Sequence, residues 1–106
     1  MAPLENILSD FKQAMSHLYG DRLANVILYG SYARGDFHAE SDIDLAVVLQ
    51  TERVERWREI ERVAPIAVEL SEKYDCLIAP VVLEASRLTS SGNLFIRTVQ
   101  REGIVL

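Results

Sequence analysis

The stretch Gly30-Ser31-Tyr32-Ala33-Arg34-Gly35-Asp36-Phe37-His38-Ala39-Glu40-Ser41-Asp42-Ile43-Asp44-Leu45 decides the fold. A short apolar run, Val26-Ile27-Leu28-Tyr29, leads into it and reads as a buried strand. A stronger run, Ile43 to Leu49, leaves it as a second strand. The polar, glycine-containing stretch Ser31 to Ser41 separates the two. At Gly30 the missing Cβ lets backbone amides approach a ligand closely, and Ser31 adds a hydroxyl donor at the same place. Amides at such a turn can cradle phosphate oxygens. Asp42 and Asp44 stand two apart at the head of a strand, so both carboxylates project from one face. Paired hard oxygen ligands suit magnesium, which prefers carboxylates plus substrate phosphates to an all-protein cage. A phosphate turn with paired aspartates is what metal-assisted phosphoryl or nucleotidyl transfer requires. Asp-x-Asp alone is an ordinary solvated strand start, and Gly-Ser alone is a turn. The joint pattern, with four fixed identities, arises by chance at about 1 in 100,000 starting points.

Working outward, Leu4, Ile7, Leu8, Phe11, Met15 and Leu18 form one helical stripe that Gly20 stops. After the second strand a helix is expected from about Glu52, with Val54, Trp57, Ile60 and Ala64 on one face. Pro65 should kink or divide it, leaving Ile66 to Tyr74 as a further helix. Cys76 to Leu83 reads as a third strand, and Pro80 argues for an edge position or a bulge. Asn93 is placed to cap a last helix carrying Leu94, Phe95, Ile96 and Val99, which Gly103 ends before a short strand at Ile104-Val105-Leu106. The charged cluster Glu52, Arg53, Glu55, Arg56, Arg58, Glu59, Glu61 and Arg62 reads as a solvated helix face with paired charges. The pattern is a mixed α/β (α+β) domain spanning residues 1–106, with a small mixed sheet and helices packed on one side.

The bulk numbers agree and exclude. Of 106 residues, 49% are hydrophobic and 25% charged, ordinary for a soluble globular protein. No apolar run approaches the ~18 residues that span a bilayer, and Met1-Ala2-Pro3-Leu4-Glu5 lacks the basic and apolar regions expected of a signal peptide. The lone Cys76 cannot make an intrachain disulfide, so a cytoplasmic location is the expectation. A net charge of -5 speaks against long DNA or RNA as principal ligand. A single nucleotide held through metal ions remains compatible with it.

The Gly30-Ser31 turn, the ten-residue spacer and Asp42-Ile43-Asp44 resemble the signature of the minimal nucleotidyltransferases of the DNA-polymerase-β-like superfamily. The resemblance runs from the leading helix to Arg101-Glu102-Gly103-Ile104-Val105-Leu106, and it is most specific between Tyr29 and Leu49. It implies that Gly30 and Ser31 bind a nucleoside triphosphate, with ATP the expected one, and that Asp42 and Asp44 bind Mg2+ or Mn2+. It implies a third acid on a later strand beside the pair, which helps bind metal and activates the attacking hydroxyl. The interior of that strand, Leu77-Ile78-Ala79-Pro80-Val81-Val82, holds no acid. Asp75 at its start is the first candidate, with a solvated turn residue as its other reading. Glu84 at its end is the second, with turn capping as the alternative. Many such small proteins stand as antitoxin beside a HEPN-domain toxin. Larger polymerase-like transferases carry an added domain for the acceptor, so a HEPN-domain partner is expected here, and a homo-oligomer is left open. Two functions of different class follow: transfer of AMP or another nucleotide to a protein hydroxyl, or neutralisation of a partner by contact through a degenerate site.

The remaining polar residues divide similarly. Arg34 can pair bidentately with the triphosphate or make a surface ion pair with Asp36 or Glu40. His17 and His38 read as surface residues, and neither pairs with Cys76 as a zinc site. Tyr29 and Tyr32 are expected to pack, with base stacking the lesser alternative.

Overall fold

The computed structural model describes residues 3–90 and 93–106. The elements are α1 (Leu4–Tyr19), β1 (Leu23–Tyr29), α2 (Ser31–Arg34), β2 (Ile43–Leu49), α3 (Arg56–Tyr74), β3 (Ile78–Glu84), α4 (Leu94–Glu102) and β4 (Ile104–Val105). Short 3-10 turns at Gly20–Arg22 and Ala85–Thr89 follow α1 and β3. The sheet order is β3-β2-β1-β4. β1 runs antiparallel to β2 and β4, whereas β2 and β3 are parallel. The parallel pair needs a long crossover, and α3 supplies it. No helix among the described residues is long and apolar enough to cross a membrane.

The period-2 alternation of the strands feeds two cores. Val26, Leu28, Leu45, Val47 and Leu49 point to one face, where Ile7, Phe11 and Met15 of α1 and Val63 and Ala67 of α3 cover them. Ile27, Ala46, Val48 and Leu83 point to the other, against Ile96 and Val99 of α4. Helices on one side therefore describes α1 and α3, while the C-terminal α4 lies on the opposite face. With both faces covered, β2 is buried along almost its whole length, which explains its continuous apolar run. Pro80 sits on β3, an edge strand, where its missing N–H costs no ladder bond to an outer neighbour.

Four local expectations need correction. Leu18 is 38% exposed and outside the buried core, and Tyr19 takes the last core position of α1. Pro65 does not divide α3, which runs unbroken from Arg56 to Tyr74. The proline lies on the exposed side of the helix, where the carbonyl it deprives of a partner can be hydrated. Trp57 is 84% exposed, and the buried face of α3 is Glu59, Val63 and Ala67. Glu59 is accordingly no member of a solvated face. It is only 4% exposed and accepts a hydrogen bond from the Tyr19 hydroxyl at 2.9 Å, with Arg22 at 3.4 Å and Arg62 at 3.6 Å. Three donors compensate the burial of a charge that would otherwise be costly.

Candidate active site

β1 delivers the chain to Gly30, which adopts φ 78° and ψ -156°. That left-handed φ strains any residue with a Cβ. The reversal starts α2, a single helical turn. Its Ala33 and Arg34 N–H groups both donate to the Gly30 carbonyl at 3.0 Å, and the Gly35 N–H donates to the Ser31 carbonyl at 2.9 Å. Gly35, at φ 86°, ends the turn. α2 was not expected, because four residues are too few to show a helical period. The turn leaves the Ser31 and Tyr32 amides without intrahelical acceptors.

From Gly35 a loop returns the chain to β2. It is braced by the His38 N–H donating to Ser41 Oγ at 2.9 Å and the Ser41 N–H donating to the His38 carbonyl at 3.0 Å. His38 is thus a loop brace, and the brace fixes the residue just before Asp42. Tyr32 is buried and stacks on Phe37 at 4.2 Å between centroids. Tyr29 packs edge-on against Phe95 at 5.4 Å. Both tyrosines flanking the turn are engaged in packing.

Asp44 pairs with Tyr29 across the β1–β2 ladder, one residue from the turn. A Cβ built on Gly30 would stand 2.3 Å from Asp44 Oδ2, so the carboxylate lies flush against the glycine. Burial, and next the like charge of Asp42, push the Asp44 carboxyl above the ordinary carboxylate range; Arg34 pulls it back down, while Glu102 pushes it up. Burial and the charge of Asp44 also push the Tyr29 phenol up to about 12. Asp42 itself is exposed. An Asp44 carboxylate made costly by burial and by Asp42, with Asp42 two residues before it and the Ser31 and Tyr32 amides at the adjoining turn, offers hard oxygen donors that a divalent cation would relieve, so the residues fit magnesium or manganese.

The other expected site residues are placed as follows. Arg34 Nε donates to Asp36 at 3.0 Å, and Nη1 donates to both oxygens of Glu102 at 3.1 and 3.3 Å. Asp75 is the C-terminal cap of α3, in the left-handed conformation at φ 51°. The Cys76 N–H donates to the Ser71 carbonyl at 3.0 Å as the chain leaves the helix, so the Asp75 backbone has a capping role. Its side chain borders a recess of about 210 Å³ that Tyr32, Ser41 and Leu77 also line. Glu84 pairs with Leu49 at the end of the parallel ladder away from Asp44. The residue in register with Asp44 on β3 is Ala79, a methyl group. Glu102, which the sequence did not point out, accepts the Gly30 N–H at 3.0 Å. Only chain reversal by α4 and β4 brings it there, and no local spacing signals that.

The mixed sheet sets Asp44 of the Asp-x-Asp pair against the Gly30-Ser31 turn, the arrangement that a nucleotidyltransferase site would use. Residues 8–103 match the nucleotidyltransferase domain model, and the chain belongs to that family. It is 37% identical over 98 residues to a Methanocaldococcus jannaschii protein provisionally named protein adenylyltransferase MJ0141, covering 92% of this chain and 93% of that one. Among solved structures, a toxin-antitoxin with AMP-PNP superposes with a TM-score of 0.57 at 24% identity, over 90% of this chain and 68% of the other. A chain of the complex of tri-AMPylated Shewanella oneidensis HEPN toxin with MNT antitoxin gives 0.52 at 19% identity, over 93% and 70%. At those identities the structures establish the shared fold.

Proposed function

We propose that this chain is a cytoplasmic, single-domain protein adenylyltransferase that moves AMP from ATP to a hydroxyl of a HEPN-domain partner and so acts as its antitoxin. The observation that carries the reading is the contact of Asp44 with the Gly30 turn, which would bring metal-held phosphates and turn amides to one place. A name given to the M. jannaschii relative, protein adenylyltransferase, supports the AMP. The folds shared with toxin-antitoxin complexes, one with AMP-PNP and one with an AMPylated HEPN toxin, support the nucleotide and the partner. An acidic chain with net charge -5 complements a basic, RNA-binding partner better than a nucleic-acid acceptor.

In this reading Gly30 and Ser31 hold the phosphates, Arg34 helps from the rim, and Asp42 and Asp44 would hold Mg2+ or Mn2+. The cation would supply charge neutralisation for the phosphates and for the developing negative charge. The acceptor oxygen bonds to the α-phosphorus, the bond to the β-phosphate oxygen breaks, and pyrophosphate leaves. The acceptor proton passes to a carboxylate, for which Asp75, bordering the recess beside Ser41, is the proposed base.

One observation favours a second reading. Ala79 stands beside Asp44 where an acid on β3 would complete the pair, so the chain would neutralise its partner by binding alone. Co-expression with a neighbouring HEPN-domain protein, followed by intact-mass analysis, separates the two. AMP-sized additions to the partner that vanish with Asp42→Asn support transfer. A tight, unmodified and still neutralised complex supports binding. Absence of both association and modification contradicts each.

A further inference from the structure

The Glu102 carboxylate makes three contacts with two donor atoms at the phosphate turn. They are the Gly30 N–H at 3.0 Å and two contacts from Arg34 Nη1 at 3.1 and 3.3 Å. Its side chain is 11% exposed, whereas that of Arg34 is 46% exposed. We propose that Glu102 is a positioning residue of the phosphate turn, fixing the Gly30 peptide and the direction of the Arg34 guanidinium so that both are set before a nucleotide arrives. This rests on the nucleotidyltransferase reading of the turn.

Its own placement is rigid from both sides. Glu102 is the last residue of α4, whose Ile96 and Val99 are buried against the sheet. Immediately after it, Gly103 lies so close to the strand and helix that a Cβ there would meet the Val99 carbonyl oxygen at 2.4 Å and Ile27 Cγ2 at 2.7 Å. Ile104 and Val105 then pair with β1. Helix end, flush glycine and ladder together deliver one carboxylate to the Gly30 amide 72 residues away in sequence. A charge so little exposed is costly unless it is fully hydrogen-bonded, and here the phosphate turn supplies the bonds. The same bonds leave Arg34 oriented rather than consumed. Nε serves Asp36 and Nη1 serves Glu102, while a guanidinium carries five donors, and among the described residues Nη2 has no partner and remains for a phosphate oxygen.

The test uses the full chain, with magnesium-ATP as the probe, in two measurements. Isothermal calorimetry gives affinity, and hydrogen exchange of the Gly30 amide by NMR reads the turn without nucleotide. Glu102→Ala should weaken magnesium-ATP about tenfold or more and speed Gly30 exchange. Glu102→Gln keeps an acceptor oxygen for Gly30 and should restore slow exchange and most of the affinity. If Glu102→Ala fails to fold, Glu102→Asp, shorter by one methylene, should show the same two losses. Wild-type affinity and unchanged Gly30 exchange in the Ala or Asp variant would overturn the proposal, even if the melting temperature falls, since that is a merely structural role. A wild-type chain that binds no magnesium-ATP defeats the functional reading instead, and the Gly30 exchange still decides the role of Glu102.

Discussion

Gly30 and Asp44 are mutually dependent: the carboxylate Oδ2 occupies the space that a Cβ on residue 30 would need, at 2.3 Å. Gly30→Ala therefore has two consequences. The φ of 78° with ψ -156°, a region essentially reserved for glycine, imposes a strain of about 1–3 kcal/mol, and the new methyl displaces Asp44. Chemical denaturation should show the stability loss, and calorimetry should show magnesium-ATP binding abolished. A variant that binds as the parent does would separate the turn from the acid pair.

In the proposed function, Asp44 would serve metal binding at the expense of the apo fold. Its carboxyl is held above the ordinary range by burial first and by Asp42 second, so its charged form at neutral pH is disfavoured by folding. Asp44→Asn removes that charge with little change in volume. In metal-free buffer at pH 7 its melting temperature should equal or exceed that of the parent. A pronounced fall would mean that Asp44 is a structural residue.

The Tyr19–Glu59 bond predicts an alkaline signature. Burial, and then the bond to Glu59, push the Tyr19 phenol well above its usual range. A group whose folded-state pKa is raised gives stability that is intact below the unfolded value, about 10, and is lost as pH climbs past it. Tyr19→Phe should cost about 1–3 kcal/mol at pH 7 through the lost hydrogen bond to the buried Glu59 carboxylate, which keeps Arg22 and Arg62. It should also flatten the decline in melting temperature above pH 10. An unaltered alkaline slope would show that Tyr19 does not report this burial.

The corrected face of α3 is tested by a pair of substitutions. Trp57→Ala, at a position 84% exposed, should shift stability by no more than about 0.5 kcal/mol. Val63→Ala, fully buried, should cost about 1–3 kcal/mol. The reverse order in urea denaturation would restore Trp57 to the core.

Strong local patterns made most of the fold legible. The buried run Ile43–Leu49, the Asn93 cap, whose side chain accepts the Ile96 N–H at 2.9 Å, and Pro80 on an edge strand each announce themselves. Trp57 and Glu59 misled because hydrophobicity and charge were read as position. A large apolar residue at the exposed start of a helix and a carboxylate neutralised by Tyr19, Arg22 and Arg62 both break that rule. At the site, Gly30, Ser31, Asp42 and Asp44 stand within fifteen residues, so their proximity was visible in the chain. Glu102 was not, because it reaches Gly30 only after α4 crosses the sheet. Nor was the pairing of Ala79 with Asp44, which depends on the parallel register that α3 sets.

The most direct measurement is a calorimetric titration of ATP into the parent chain and the Asp42→Asn/Asp44→Asn double variant, with and without magnesium. The site has paired acids and no neighbouring lysine in Gly30 to Asp44 to neutralise the phosphates, so binding should require the cation and vanish in the folded double variant. Undiminished binding by that variant, or equal binding without magnesium, would contradict a nucleotide site built on Asp42 and Asp44.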